Sequence, residues 1–196
     1  MPDSAGNLYG TTPYGGDLTC PIGSLGCGAV FELSKSGQET VLHTFTGGTD
    51  GAFPLYESLI RDSAGNLYGT TLYGGDLSCN SYGYGCGVVF KLSPAGEETV
   101  LHTFAGGADG EGPVAGLVQD SSGNLYGTTA GGGAHNYGTV FKIDASGNET
   151  VLFNFNGERS GFEPIGTLLL DKAGNLYGTT NEGGAANAGV VFKLKP

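Results

Sequence analysis

The 196-residue chain contains 39 Gly and only 14% charged residues, a composition that favours short strands and turns and gives helices little to start from. Asp and Glu outnumber Lys and Arg by 19 to 8, for a net charge of −11, so the surface field repels phosphate backbones and anionic lipids and excludes nucleic acid as a partner. No apolar run reaches the length of a membrane helix, and we predict no membrane insertion.

The strongest feature of the sequence is a short motif that recurs along the chain. The heptapeptide Gly-Asn-Leu-Tyr-Gly-Thr-Thr starts at Gly6, Gly65, Gly123 and Gly174, at intervals of 59, 58 and 51 residues. A period of this size, built from short strands, predicts an array of repeats in which no unit buries its faces alone. We therefore interpret residues 1–196 as a single repeat domain.

Each unit divides into four strand-like runs, A to D, separated by turn residues. In the second unit the predicted strands are Pro54–Asp62, Asn66–Thr71, Val88–Leu92 and Thr99–Phe104. The tight connections contain Gly or Asn, so they predict antiparallel hairpins. Both sides of the third run are largely apolar, which favours a blade buried between neighbours. The predicted fold is an all-β propeller, or part of one, with four-stranded blades at about 3–45, 54–104, 113–155 and 164–196.

A glycine stands in the middle of each heptapeptide strand, at Gly10, Gly69, Gly127 and Gly178. Glycine inside a strand marks a place where another part of the molecule approaches closely. We predict that these glycines let adjacent blades pack closely near the axis.

The four cysteines form two matched pairs, Cys20 with Cys27 and Cys79 with Cys86, each enclosing six residues. This spacing favours two local disulfides, although four cysteines permit three connectivities and a four-thiolate zinc site is the rival. The usual C-x2-C zinc spacing does not occur. Stable disulfides need an oxidising compartment, so we predict that the protein is extracellular or lies at the cell surface.

The pattern D-x-x-G-N-L-Y-G-T-T, followed by G-x-V-F-x-L and G-x-E-T-V-L-x-x-F, resembles the GloVer-type tandem repeat of secreted bacterial proteins over essentially the whole chain. The resemblance implies a secreted or cell-surface β-repeat protein. The unit is also similar in layout to NHL propeller blades, and the strand order A to D, with A innermost, is taken from that similarity.

On this order the first blade lacks strand A and the last lacks strand D, so the chain holds three and a half repeats with two open sheet edges. One predicted assembly edge comprises Val190, Phe192 and Leu194. Open edges favour pairing with another chain. We expect either a closed homo-oligomer or a head-to-tail polymer.

Alternating strand directions would place the B–C and D–A loops on one face. The B–C loops vary: the Val of the Val-Phe strand follows the last Thr of the heptapeptide by 18 residues in units one and two and by 11 in units three and four. Variable loops on a rigid scaffold are the usual place for binding. The candidate binding residues are Tyr14, Asp17, Tyr73, Asp76, Tyr82 and Tyr84 in the long loops, with Asp50 and Asp109 in the D–A loops.

Tyr side chains offer stacking area and a hydroxyl, which suits a glycan or a protein ligand. The alternative interpretation is that these Tyr residues cover the disulfide loops and that the Asp-Gly pairs only make turns. Asp17, Asp50, Asp76 and Asp109 are the candidate ligands for calcium, which needs several convergent oxygens, but no D-x-D-x-D-G run exists. We predict no cofactor.

We predict no catalytic residues, because no nucleophile elbow, zinc-protease or phosphate-binding motif occurs. His43 and His102 stand where Phe153 stands in the third unit, so they behave as strand positions. The leading hypothesis is a non-catalytic propeller module that binds a partner or self-assembles through its open edges. The alternatives are a structural subunit of an extracellular filament and a propeller enzyme acting on polysaccharide.

Overall fold

The computed structural model describes residues 1–55, 58–80 and 82–196, and the regular secondary structure of this part is entirely β. Four antiparallel sheets of three, four, four and three strands follow one another along the chain. In the described residues no helix is long and apolar enough to cross a membrane. The strands are β1 (Leu8–Thr12), β2 (Ala29–Leu33), β3 (Glu39–Thr44), β4 (Ile60–Arg61), β5 (Leu67–Thr71), β6 (Val88–Leu92), β7 (Glu98–Thr103), β8 (Val118–Gln119), β9 (Leu125–Thr129), β10 (Thr139–Ile143), β11 (Glu149–Asn154), β12 (Leu169–Leu170), β13 (Leu176–Thr179) and β14 (Val191–Leu194).

Strand A is much shorter than predicted. In the second unit the strand comprises only Ile60–Arg61, and within the predicted run Pro54–Asp62 the residues Tyr56 and Glu57 lie outside the described part. The cause is visible in the later units, where side chains of the preceding blade bind the backbone that leads into the strand. Thr128 Oγ1 donates to the Pro164 carbonyl at 2.6 Å. The short strands β8 and β12 contact each other, so the first strands of neighbouring blades meet.

The first sheet has a partial substitute for strand A. Pro2 forms an antiparallel bridge with Leu8, and the Tyr9 amide donates to the Met1 carbonyl at 2.8 Å. This edge, which the sequence predicts to be open, is therefore partly covered by the first two residues.

The recurring Asp, Asn and Tyr of the motif build the turn between strands A and B. In the second unit Asp62 Oδ1 accepts the backbone amides of Ala64 and Asn66, both at 2.9 Å. Asp62 Oδ2 accepts the Asn66 side chain at 2.7 Å and the Tyr68 hydroxyl at 3.0 Å. Burial, and then the bond to Asp62, raise the pKa of Tyr68 to about 12. The motif thus serves the architecture of the turn.

The core lies between consecutive blades, because both faces of the central strands are covered. Val88, Val89 and Phe90 are all fully buried in β6. Each blade contact contains an edge-to-face ring pair at a centroid distance of 5.2 Å: Phe45 with Phe90, Phe104 with Phe141, and Phe155 with Phe192. This repeated pair is worth roughly 1 kcal/mol beyond its burial at each junction.

Three of the mid-strand glycines, Gly10, Gly127 and Gly178, admit a ring from the same blade, which differs from the prediction that these glycines admit a neighbouring blade. Gly127 pairs directly with Phe141 across β9 and β10. A Cβ on Gly127 would lie 2.5 Å from Cζ of Phe141 and 2.9 Å from Cδ2 of Leu117. Gly10 stands in the same relation to Phe31, at 2.8 Å. The glycine therefore makes room for the phenylalanine that packs against the preceding blade.

The outer faces of the first and last blades are exposed. Val191 is 80% exposed, whereas Val89 and Val140, its counterparts in the second and third units, are fully buried. Leu8 is 47% exposed, and its counterpart Leu125 only 2%. Repetition thus leaves an apolar face at each end of the array.

Candidate functional site

The B–C loops (13–28, 72–87, 130–138 and 180–190) and the D–A loops (45–59, 104–117 and 155–168) meet on one side of the molecule, the loop face. Each D–A loop bridges to the next B–C loop, through the pairs Ala52–Tyr73, Glu111–Gly131 and Phe162–Glu182. The A–B and C–D turns lie together at the opposite ends of the strands. In the first unit, for example, the Lys35 amide donates to Asn7 Oδ1 at 3.1 Å. The loop face therefore joins consecutive blades through backbone hydrogen bonds.

The two long B–C loops are closed by disulfides. Cys20 is bonded to Cys27 and Cys79 to Cys86, which confirms the predicted local pairing and removes the zinc alternative. Cys27 and Cys86 are almost fully buried. Each disulfide fixes the base of a loop whose tip is exposed.

A continuous row of aromatic rings crosses these loops, and we call it the aromatic row. Tyr14 lies 5.7 Å from Phe53, Phe53 lies 5.8 Å from Tyr73, and Tyr73 lies 5.5 Å from Tyr84. Tyr84 and Tyr82 stack at 6.1 Å with an interplanar angle of 20°. The exposed members are Tyr14 at 51%, Tyr82 at 78% and Tyr84 at 41%. The four predicted Tyr residues thus share one surface, joined by Phe53, which sequence reasoning missed.

The predicted acidic residues have turn-forming roles. Asp17 Oδ1 accepts the amide and hydroxyl of Thr19 at 2.8 and 2.6 Å, and Asp76 binds Ser78 in the same way. Asp50 accepts the amide and hydroxyl of Thr46 at 2.7 and 2.6 Å, and Asp109 accepts the Ala105 amide at 3.0 Å.

The calcium hypothesis gains no support from the described residues, in which no three His, Cys, Asp or Glu side chains are grouped so that they could hold a metal ion. The oxygens of Asp17 and Asp50 instead accept hydrogen bonds within their own turns. These four carboxylates therefore do not converge.

Two clusters of titratable groups lie between blades and are not apparent in the sequence. His43 Nε2 is 3.8 Å from Asp50 Oδ2, and His102 Nε2 is 3.4 Å from Asp109 Oδ2. Burial, and then the charge of Asp109, raise the pKa of Glu149 in the next blade to about 7. Burial lowers the pKa of His102. Each histidine also packs on a phenylalanine, as Phe153 does on Phe155, consistent with a strand position.

One residue of each D–A loop is wedged between two blades, and we call it the junction position: Phe53, Gly112 and Glu163. Its amide donates to the preceding blade, at Cys27, Cys86 or Tyr137. Its carbonyl accepts from the following blade, at Leu72, Ala130 or Asn181. All three residues have φ between 53° and 63°. The backbone is therefore the same at each junction, while the side chain differs.

The side chain at the junction position decides whether the junction is filled. The Phe53 ring lies between Tyr14 and Tyr73, and Glu163 Oε2 accepts the Asn181 side-chain amide at 3.2 Å. Where Gly112 stands, a cavity of about 280 Å³ is left, which we call the junction slot. Its main side-chain lining is Leu72, Tyr73, Asn80, Tyr82 and Glu111.

A second cavity, of about 360 Å³, opens among the A–B and C–D turns of the second and third blades. Its carboxylates, Asp62, Asp120 and Asp144, all accept hydrogen bonds from their own turns. The cavity is therefore a gap between structural turns.

Solved structures similar to this chain share its fold. A gluconolactonase from Xanthomonas campestris matches with a TM-score of 0.57 at 14% identity, covering 100% of this chain and 55% of that protein. A luciferin-regenerating enzyme matches with a TM-score of 0.60 at 16% identity, covering 100% and 59%. A protein of unknown function from Dyadobacter fermentans matches with a TM-score of 0.51 at 9% identity, covering 85% and 54%.

This chain thus spans a little more than half the length of these structures, and the likeness confirms the predicted β-propeller fold. At such low identity it shows the fold alone. No curated protein matches the sequence. The repeat itself is matched by a family model over residues 77–196, and the chain therefore belongs to the Gloeobacter/Verrucomicrobia repeat family.

Proposed function

We propose that this chain is a non-catalytic, extracellular propeller module that binds a glycan through its loop face. The observation that carries the proposal is the aromatic row, in which three largely exposed Tyr rings are held by two disulfide-closed loops. Exposed Leu18, Leu25 and Leu77 stand in the same loops. An apolar surface of this kind on a rigid scaffold is characteristic of an interaction site.

The chemistry of the aromatic row favours a glycan. Tyr rings stack on the apolar C–H face of a sugar, and their hydroxyls bind its rim. The two disulfides support an extracellular location. The buried setting of the His–Asp pairs, each side chain less than one-fifth exposed, supports a structural role for the histidines.

The test is a glycan array probed with the wild-type chain and with the triple variant Tyr14→Ser/Tyr82→Ser/Tyr84→Ser. At roughly 1 kcal/mol for each ring contact, loss of three rings is expected to weaken binding on the order of 100-fold. Tyr137→Ser, at an exposed Tyr outside the aromatic row, is the control and is expected to bind like the wild type. Equal binding by the triple variant would contradict the proposal, and release of reducing ends from a bound polysaccharide would favour the enzyme alternative.

A second candidate function is self-assembly, which the exposed end faces favour. Phe192 and Leu194 pack inward against the third core cluster, and Val190 precedes β14. The outward residues of the last blade are instead Leu169 and Val191, 60% and 80% exposed. A further repeat, in the same polypeptide or in a second copy, would bury them. Light scattering tests this: Val191→Lys is expected to reduce the mass of any oligomer, and an unchanged mass would contradict the role of this face.

A further inference from the structure

We infer that the junction slot beside Gly112 binds one neutral pyranose ring, an inference that rests on the proposed glycan-binding function and locates its most selective site. The three junctions of the chain have one backbone conformation and three different side chains. The first junction shows that the position holds a ring, since Phe53 fills it. The second has the same hydrogen bonds but no side chain.

The junction slot is larger than a phenyl ring. Gly112 replaces Phe53, and Gly131 replaces Tyr73, so two aromatic side chains of the first junction have no counterpart in the second. A cavity of about 150 Å³ is enough for benzene, whereas the junction slot measures about 280 Å³. The size therefore suits a six-membered ring that carries substituents.

The junction slot is also more polar than the filled first junction. Glu111 stands where the first junction has Ala52, and Tyr82 stands where it has Gly23. A Cβ on Gly131 would lie 2.8 Å from Glu111 Oε1, so the carboxylate lies against Gly131, which also lines the slot. An apolar ring in the slot would desolvate this carboxylate without replacing its hydrogen bonds.

The Glu111 carboxylate is available to a ligand. Its Oε2 lies 3.7 Å from Cys86 Sγ, but that sulfur is oxidised in the disulfide and has no proton to donate. Among the described residues no other side chain or amide donates to it. Asn80, by contrast, binds the Gly85 carbonyl and the amides of its own loop. The occupant must therefore supply hydroxyl or amine donors to Glu111, and a pyranose ring offers them beside an apolar face for Tyr82.

The experiment is a titration followed by backbone amide NMR, with methyl β-D-glucopyranoside, methyl β-D-galactopyranoside and N-acetylglucosamine as probes. Saturable shifts are expected at Glu111, Gly112 and Gly131 with at least one neutral sugar. No shift is expected at Phe162 or Glu163, at the third junction of the same molecule, because no residue of that junction lines the slot. Galacturonic acid is the charge control and is expected not to bind, because its carboxylate would face Glu111.

Two variants make the test specific. Gly112→Phe recreates the first junction, and its backbone is compatible because Phe53 and Glu163 adopt the same φ. This variant is expected to lose the shifts entirely. Glu111→Ala, which recreates Ala52, is expected to weaken binding by about tenfold or more. The fold of each variant is checked by its unchanged amide spectrum away from the junction.

The failures are distinguishable. Sugar binding that persists in Gly112→Phe, with shifts at Tyr14 and Tyr84, would overturn the junction slot and leave the loop-face proposal standing. Neither Tyr14 nor Tyr84 lines the slot, so binding retained in Tyr14→Ser/Tyr84→Ser supports it. The assignment of a pyranose would be overturned if no sugar gave saturable shifts. Tyrosine amide serves as an aromatic probe that is not a sugar, and saturation of the junction slot by this probe alone would overturn the assignment as well.

Discussion

The glycine in the middle of strand B offers a sharp test of the packing. A methyl group on Gly127 would lie 2.5 Å from Phe141 and 2.9 Å from Leu117, and neither residue can retreat because both are almost fully buried. Overpacking of this kind costs up to about 3 kcal/mol, and the smaller entropy of the unfolded Ala chain offsets up to about 1 kcal/mol. Gly127→Ala is therefore expected to lower the free energy of unfolding by roughly 2 kcal/mol.

Urea denaturation followed by Tyr fluorescence measures this change, since the chain has no Trp. For a chain of this size, a loss of roughly 2 kcal/mol lowers Tm by roughly 4–8 °C. Gly107→Ala is the control, because a Cβ at this loop position meets no atom within 4 Å. It is expected to be neutral or slightly stabilising.

A compensating change separates overpacking from other effects of Gly127→Ala. Phe141→Leu shortens the side chain that the new methyl group strikes, so the double variant is expected to be more stable than the two separate losses predict. If Gly127→Ala unfolds at the same urea concentration as Gly107→Ala, the Phe141 ring does not occupy the space above Gly127.

Three further predictions concern a disulfide-closed loop, the half-buried carboxylate of Glu149 and a turn between strands A and B. Cys79→Ser/Cys86→Ser opens a loop with a sequence separation of 7 and is expected to cost about 2.5 kcal/mol by loop entropy, measured by urea denaturation; no loss would refute it. The pKa of Glu149 is raised from 4.5 to about 7, so the folded state binds more protons between these pH values and stability falls as pH rises. In the Glu149→Gln variant, the loss of unfolding free energy between these pH values is expected to be smaller than in the wild type by about 1 kcal/mol, after allowance for solvent screening. Parallel curves of stability against pH for the two proteins would contradict this expectation. Tyr126→Phe removes the 3.0 Å bond to Asp120 and is expected to cost about 1 kcal/mol, whereas Tyr137→Phe, an exposed control, is expected to cost nothing; equal stabilities would argue against the turn network.

The features that the sequence predicts well are local ones. The alternation in Val88–Leu92, the Gly-Asn turns and the paired cysteines each depend on residues close together in the chain, so the strands, the hairpins and the disulfide pairing follow from short patterns. Strand A is different, because the backbone near Pro164 is bound by Thr128 of the preceding blade. No pattern within strand A announces a partner 36 residues away.

The candidate site shows the same division. The Tyr residues of the long loops are visible in the sequence, but the row they form depends on Phe53, which sits between two blades. The buried setting of Glu149 depends on a neighbouring blade, and Glu39, its counterpart in the first unit, is exposed. One sequence pattern points to the junction slot: when the segments 51–54, 110–113 and 161–164 are aligned, Phe, Gly and Glu stand at one position. Only the structure shows that this position lies between blades.

The shared left-handed backbone of Phe53, Gly112 and Glu163 has a consequence for how such arrays can be modified. The main chain supplies the same hydrogen bonds whichever residue is present. A single substitution at the junction position can therefore fill the junction or leave a cavity there, while the backbone bonds between the blades stay in place. The order of open and filled junctions along the molecule could therefore be changed by single substitutions, without redesigning any strand.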